Sequence, residues 1–121
     1  MESSPNPASG RQVIERYSAA GFRISGMVYA GPVLVLPDRT IAWEAAAASI
    51  EALEPALAHG GFELLLLGLG RRGAPVAPAL RAALKQRGVG VEAMDTGAAC
   101  RTYNLLLAED RLVAAALLPL I

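Results

Sequence analysis

The fold class of this 121-residue chain is indicated by the sequence Glu63-Leu64-Leu65-Leu66-Leu67-Gly68-Leu69-Gly70-Arg71-Arg72-Gly73. Its uninterrupted apolar run, residues 64–67, is typical of a strand that is buried on both faces, as in a parallel sheet covered by helices. The glycines then allow a sharp turn into a segment with helical spacing. This stretch predicts an α/β fold built on a buried strand.

The same alternation extends on both sides of that stretch. Helical spacing predicts helices over residues 45–59, over residues 75–86 and from about Thr96 onward, with Asp95 or Thr96 as the N-cap of the last. Apolar runs predict further strands over residues 89–94 and 111–118. Pro55 is expected to kink or shorten the first helix. This order predicts a largely parallel sheet with right-handed crossovers.

The N-terminal third has a different pattern. Short β-rich pieces at residues 22–25, 27–29, 33–36 and 40–43 are separated by glycine and proline turns. They predict antiparallel strands added to one edge of the sheet. Residues 1–10, rich in Ser, Pro, Asn and Gly, predict a disordered tail. Residues 11–121 are therefore expected to form a single α/β domain.

Composition excludes several classes of protein. The chain is 54% hydrophobic, with eleven basic and eleven acidic residues, so it lacks the positive charge of a nucleic-acid binder. Its single cysteine excludes an internal disulfide. No export signal is visible, and the longest apolar run, residues 112–121, is about half of a membrane span. We expect a cytoplasmic protein, and the strong preference for Arg and Ala suggests a bacterial one.

The glycines at 68, 70 and 73 have the G-x-G-x-x-G spacing of dinucleotide-binding folds, and Glu92 and Asp95 follow about twenty residues later. Proline is tolerated only in a first helical turn, so Pro75 and Pro78 predict a helix that begins near Pro75, after Gly73. In a dinucleotide fold, the third glycine packs inside that helix. The motif is therefore interpreted as a tight strand-to-helix turn, and no cofactor is expected.

Polar residues follow two neighbouring strands of the predicted sheet and define a candidate binding crevice. In open α/β sheets, ligands bind in crevices at the carboxyl ends of strands. An anion or a partner's carboxylate would be favoured beside the arginines, although solvated loop arginines and a capped helix with a hydrogen-bonded tyrosine are the simpler alternatives. The candidate residues are Gly68, Gly70, Arg71, Arg72, Asp95, Thr96, Arg101, Tyr103 and Asn104.

No catalytic residue or metal ligand is predicted. The sequence offers Cys100 no general base except His59, which is remote in sequence, and a free cysteine is commonly a small buried side chain. His59 stands just before Gly60-Gly61, at the expected end of a helix, and is interpreted as structural. The spacings of zinc sites and hydrolase nucleophiles are also absent.

Several stretches together resemble one family. These are residues 33–37 with Trp43, residues 68–70, residues 94–96, Cys100-Arg101-Thr102-Tyr103-Asn104-Leu105-Leu106, and residues 109–113 leading to 116–119. They are similar, over residues 21–119, to the small domain family of largely unknown function that includes mitochondrial complex I assembly factor three. The resemblance implies a three-layer α/β/α domain with a mixed sheet and an additional antiparallel β-hairpin layer. It also implies a non-enzymatic role through protein contacts, and it supplies no catalytic residues.

Two functional hypotheses follow. The first is a non-enzymatic protein-interaction or assembly-factor-like domain, with a link to respiratory complex assembly left open. The second is a small-molecule or anion-binding protein, or an enzyme, that uses the crevice between the Gly68 turn and the Cys100 to Asn104 helix. The identity of the partner and the oligomeric state are not predicted.

Overall fold

The computed structural model describes residues 10–44 and 48–120, which contain two sheets and three helices. The elements in chain order are β1 (Ile14–Ser18), β2 (Gly21–Ile24), β3 (Met27–Ala30), β4 (Val33–Val35), β5 (Thr40–Ala42), α1 (Ile50–His59), β6 (Leu64–Leu69), α2 (Pro78–Gln86), β7 (Gly90–Met94), α3 (Thr96–Ala108) and β8 (Val113–Leu118).

The central sheet has five strands in the order β5-β4-β8-β6-β7. β6 is parallel to both of its neighbours, with Leu66 paired to Glu92 on β7 and to Ala115 on β8. β4 is antiparallel to β5 and β8. The predicted α/β class with a mixed sheet is confirmed, and the leucine run forms β6, an interior strand between β8 and β7.

Both faces of the interior strands β4, β6 and β8 are buried, which explains why these strands are continuously apolar. On β8, Val113, Ala115 and Leu117 belong to the core shared with α3, whereas Ala114 and Ala116 belong to the core shared with α1 and α2. Small alanine side chains on both faces let the helices approach the middle of the sheet closely. The result is the predicted arrangement of helices on both faces.

The second sheet is antiparallel, has the order β1-β2-β3 and lies on the α3 side. Ile14, Phe22 and Ile24 bury their side chains in the core that contains α3. Ser25 and Gly26 join β2 to β3 and both have positive φ, 45° and 84°, as a tight hairpin turn requires. The predicted additional β layer is confirmed. β4 and β5 join one edge of the central sheet as antiparallel strands, as predicted, whereas β2 and β3, predicted at that edge too, form the separate layer with β1.

Two helices begin later than predicted. α1 starts at Ile50 because Ser49 is its N-cap and accepts a hydrogen bond from the Ala52 N–H. α2 starts at Pro78, not near Pro75, because Ala77 is its N-cap and is extended. Pro55 lies inside α1 without ending it. Residues 45–47 of the predicted first helix, and residues 1–9 of the predicted tail, lie outside the described residues.

Candidate functional site

Thr96 joins the carboxyl ends of three parallel strands at one edge of the central sheet. It is fully buried. Its hydroxyl donates to the Leu118 carbonyl at 2.6 Å and accepts from the Gly70 N–H at 2.9 Å. Its own N–H donates to the Gly70 carbonyl at 2.8 Å. Because β6, β7 and β8 all end here, one side chain fixes their relative positions.

The glycine turn packs directly against the start of α3. A methyl group on Gly68 would lie 2.7 Å from Leu117 Cδ2 and 3.1 Å from both Ala99 Cβ and Thr96 Cα. A methyl group on Gly73 would lie 2.9 Å from the Asp95 backbone nitrogen, and Gly73 has a φ of 71°. The crevice expected between the Gly68 turn and α3 is therefore closed at this depth, because the two segments are in van der Waals contact.

The glycine spacing lacks the geometry of a dinucleotide fingerprint. Gly68 lies inside β6, and Gly73 precedes Pro78, the first residue of α2, by five positions. The third glycine of a fingerprint would instead pack in the first turn of the helix. The glycines here serve the contact between β6, α3 and β8.

Asp95 is the N-cap of α3. Its side chain accepts a hydrogen bond from the Ala98 N–H at 2.8 Å. The capping carboxylate occupies the positive end of the helix dipole, where an added anion would otherwise be favoured. The remaining candidate positions for an anion are the arginines around this helix end.

Two candidate residues of α3 attach the N-terminal strand. The Tyr103 side chain is fully buried, and its hydroxyl donates to the Gln12 carbonyl at 2.8 Å. The Asn104 amide accepts from the Ile14 N–H at 3.0 Å and donates to the Ile14 carbonyl at 2.7 Å. These contacts use the polar groups of both side chains inside the protein, so Tyr103 and Asn104 support the site rather than line its surface.

Three arginines remain at the surface, and we call Arg71, Arg72 and Arg101 the cationic rim. All three are exposed. Arg101 donates from Nη1 to the Tyr17 hydroxyl at 2.9 Å, and the same nitrogen lies 3.2 Å from the position of a methyl group on Gly97. In residues 10–44 and 48–120, no carboxylate forms an ion pair with any of the three.

An apolar groove that the sequence did not predict follows the same edge of the sheet. It has a volume of about 340 Å³ and lies between the ends of β6 and β8 and the segment that leads into α2. That segment begins directly after the Arg71-Arg72-Gly73 turn. The signal in the sequence was the run Pro75-Val76-Ala77, which the helical spacing places in the predicted helix over residues 75–86. The lining residues are Ala48, Leu67, Leu69, Ala74, Pro75, Val76, Ala77, Leu80 and Leu118.

Cys100 and Tyr103 are buried, and His59 contacts a carboxylate. Burial raises the pKa of the Cys100 thiol to about 12 and also raises the pKa of the Tyr103 hydroxyl. His59 Nε2 lies 2.8 Å from Asp38 Oδ1, at the end of α1. Within the described part of the chain, no three His, Cys, Asp or Glu side chains are grouped so as to hold a metal ion.

None of the helices among the described residues has the length and apolar character that a membrane crossing requires.

Known proteins are similar to this chain in sequence and in fold. A relative from Danio rerio, named NADH dehydrogenase (ubiquinone) 1 alpha subcomplex assembly factor 3, is 40% identical over 116 residues, which cover 93% of this chain and 67% of the relative. The chain spans 58 to 67% of the length of the relatives that carry this name.

Solved structures agree with that similarity. A crystal structure from Bartonella henselae, described as an outer membrane protein, has a TM-score of 0.85 at 33% identity and covers 93% of this chain and 98% of its own. A solution structure from Bordetella pertussis, described as a Mth938-like domain, has a TM-score of 0.80 at 29% identity and covers 98% of this chain and 92% of its own.

The match to a family model covers residues 14–118, from the first strand to the last. It therefore includes both sheets, the Thr96 junction and the cationic rim. The chain belongs to the family described as "Protein of unknown function (DUF498/DUF598)".

Proposed function

We propose that this chain is a non-enzymatic, assembly-factor-like domain that binds a protein partner during the assembly of a respiratory complex. The observation that carries the proposal is the 40% identity, over 93% of this chain, to a relative named as an assembly factor for NADH dehydrogenase. The match covers 67% of that relative's length, so its role in assembly is extended to this chain as a proposal.

The surface proposed for the partner is the cationic rim together with the apolar groove beside it. In the described residues, Arg71, Arg72 and Arg101 have no carboxylate partner. Lys85 and Arg111 share that property, and Arg71 and Arg72 differ from them by their position directly before the segment that lines the groove. The groove adds apolar area around Leu69, Val76 and Leu118. Arginine forms strong paired hydrogen bonds with carboxylates, and apolar area supplies affinity. This combination fits a partner segment that carries acidic residues next to apolar ones.

Affinity purification from the native host, with mass spectrometry of the co-purifying proteins, tests this proposal. We expect subunits of the NADH dehydrogenase complex, or its assembly intermediates, to be enriched with the wild-type chain. The double variant Arg71→Glu/Arg72→Glu should lose most of that enrichment, because it reverses the charge of exposed side chains that contact no described carboxylate.

The matched control is Lys85→Glu/Arg111→Glu, which makes the same change in net charge at two other exposed positions. This control should retain the enrichment. Equal loss in both double variants would assign the effect to net charge and contradict a role for the rim. If no respiratory subunit is enriched with the wild-type chain, the assembly proposal fails.

A second candidate is a small-anion-binding function of the same arginines, which two adjacent exposed guanidinium groups favour. A thermal-shift screen with phosphate, nucleotides and organic acids tests it. A ligand at about one hundred times its dissociation constant adds about 2.7 kcal/mol of stability. A shift of several degrees that disappears in Arg71→Glu/Arg72→Glu would support anion binding, and an unchanged melting temperature would contradict it.

We also propose a cytoplasmic site of action, because the chain has one cysteine and no internal disulfide to form. Fractionation of the native host with an antibody to the protein would contradict this proposal if the protein were recovered outside the cytoplasm.

A further inference from the structure

The edge strand β3 has an exposed apolar surface that the proposed function does not use. Met27 is 62% exposed and Val28 is 75% exposed, and they are two of the four large hydrophobic side chains exposed in the described residues. β3 pairs with β2 on one side, and in residues 10–44 and 48–120 no backbone hydrogen bond from another segment reaches its other side. An exposed apolar edge strand is a template for pairing with another chain.

Two other sheet edges are blocked by specific contacts. On β1, Asn104 binds both backbone groups of Ile14, and the Leu120 N–H donates to the Ser18 carbonyl. On β7, Arg81 donates from Nη1 to the Val91 carbonyl at 2.9 Å. β5 has only three residues, and a short edge strand offers few groups for pairing. β3 has four residues and no such protection, so it stands apart from the other edges.

From this contrast we infer that β3 pairs antiparallel with β3 of a second copy of this chain, forming a six-stranded sheet across a two-fold axis. Because side chains alternate along a strand, Val28 and Ala30 share one face of β3 and Met27 lies on the other. A two-fold axis perpendicular to the sheet places the Val28 face of β3 beside the same face of β3 in the second copy. Val28 then packs against apolar residues of the other copy. The pairing also supplies partners for the backbone groups on the open edge of β3.

Charge permits this self-pairing. Residues 25–36 contain no charged side chain, so the two copies of β3 bring no like charges together. The nearest cation across the strands is Arg23, which pairs with Val28 in the β2–β3 register and forms an ion pair with Glu15 at 3.1 Å. In the paired sheet, the two β2 strands are three strand spacings apart, about 14 Å. That distance exceeds the Debye length of about 8 Å at physiological salt, so repulsion between the arginines is screened.

Sedimentation equilibrium of the purified chain tests this inference, at concentrations up to about 1 mM to detect even a dissociation constant near 1 mM. We expect the average mass of the wild type to rise toward that of a dimer. Val28→Lys should remain monomeric at every concentration, because it places a charge at the centre of the paired edge. Val28→Thr keeps a β-branched, uncharged side chain and should still associate.

A wild-type chain that stays monomeric over the whole range would overturn the inference, as would Val28→Lys associating as strongly as the wild type. Backbone amide chemical shifts measured on dilution locate the contact independently. Changes concentrated in β3 support the pairing, and changes confined to other elements overturn it. Because Arg71 and Arg72 do not take part, Arg71→Glu/Arg72→Glu should associate as the wild type does, which separates this test from that of the partner surface.

Discussion

The substitution Thr96→Val removes one buried hydroxyl while keeping the shape of the side chain. The hydroxyl accepts a hydrogen bond from the Gly70 N–H at 2.9 Å and donates one to the Leu118 carbonyl at 2.6 Å. Because Thr96 is fully buried, water cannot replace the hydroxyl. A buried polar group left without a partner costs about 1–3 kcal/mol. Two such groups give an expected loss of about 2–4 kcal/mol in the free energy of unfolding, allowing for partial relaxation.

Urea unfolding followed by circular dichroism measures this loss directly. An unfolding entropy of about 2.1 cal/mol/K per residue makes 1 kcal/mol worth about 4 °C, so the melting temperature should fall by about 8–16 °C. Thr96→Ser is the matched control, since it keeps the hydroxyl and loses one methyl group, worth about 1 kcal/mol. If Thr96→Val stays within about 0.5 kcal/mol of the wild type, or if Thr96→Ser is equally destabilised, the junction is not held by these hydrogen bonds.

Three further predictions concern the glycine turn and α3. Gly73→Ala should destabilise the chain by about 1–3 kcal/mol, because its methyl group would meet the Asp95 backbone and the residue has a positive φ. Gly88→Ala is the control, since Gly88 also has a positive φ but has open space around it, and this variant should lose less stability. Equal losses of unfolding free energy in urea would contradict the contact at Gly73. Asp95→Ala should lower the free energy of unfolding by about 1 kcal/mol, because it removes the N-cap of α3. Asp95→Asn keeps a capping side chain and should be nearly neutral in the same assay. An equal loss of stability in Asp95→Asn would show that capping is not the reason. Burial raises the pKa of the Cys100 thiol from 9.0 to about 12, so the unfolded chain releases this proton at a lower pH than the folded chain. The free energy of unfolding should therefore fall as pH rises from about 9 to 12. Cys100→Ala should show a shallower fall over this range, and an unchanged slope would contradict a buried thiol.

Most of the fold could be predicted because the determining signals are local. The run that forms β6 is apolar at successive positions because Leu65 and Leu67 face one core and Leu66 faces the other. The start of α3 was predicted from Asp95, whose side chain caps the helix within three residues. Both signals depend on residues that are close in the sequence, so they can be recognised without the structure.

The geometry of the site was less predictable because it depends on contacts between distant residues. Closure of the expected crevice at Gly68 results from Leu117 and Ala99, which are 49 and 31 positions away. Asn104, predicted to line a crevice, instead binds Ile14, 90 residues earlier in the chain. Neither the spacing of polar residues nor their helical face distinguishes a side chain that binds a ligand from one that secures a strand.

The start of α2 illustrates a competition between local signals. Pro75 and Pro78 are both acceptable in a first helical turn, and the sequence alone favoured the earlier one. In the structure the segment before Pro78 remains extended and forms the wall of the apolar groove. The groove, which sequence reasoning missed, therefore exists because the helix begins three residues later than predicted.

The central claim, that this chain assists the assembly of a respiratory complex through its cationic rim, is tested most directly in a host strain that lacks the chain. The measurement is the amount of fully assembled NADH dehydrogenase complex on native gels, after complementation with the wild type, Arg71→Glu/Arg72→Glu or Lys85→Glu/Arg111→Glu. We predict that the complex is depleted in the deletion strain, restored by the wild type and by the Lys85/Arg111 control, and not restored by the Arg71/Arg72 variant. A normal amount of assembled complex in the deletion strain would contradict the role in assembly, and full restoration by Arg71→Glu/Arg72→Glu would contradict the role of the rim.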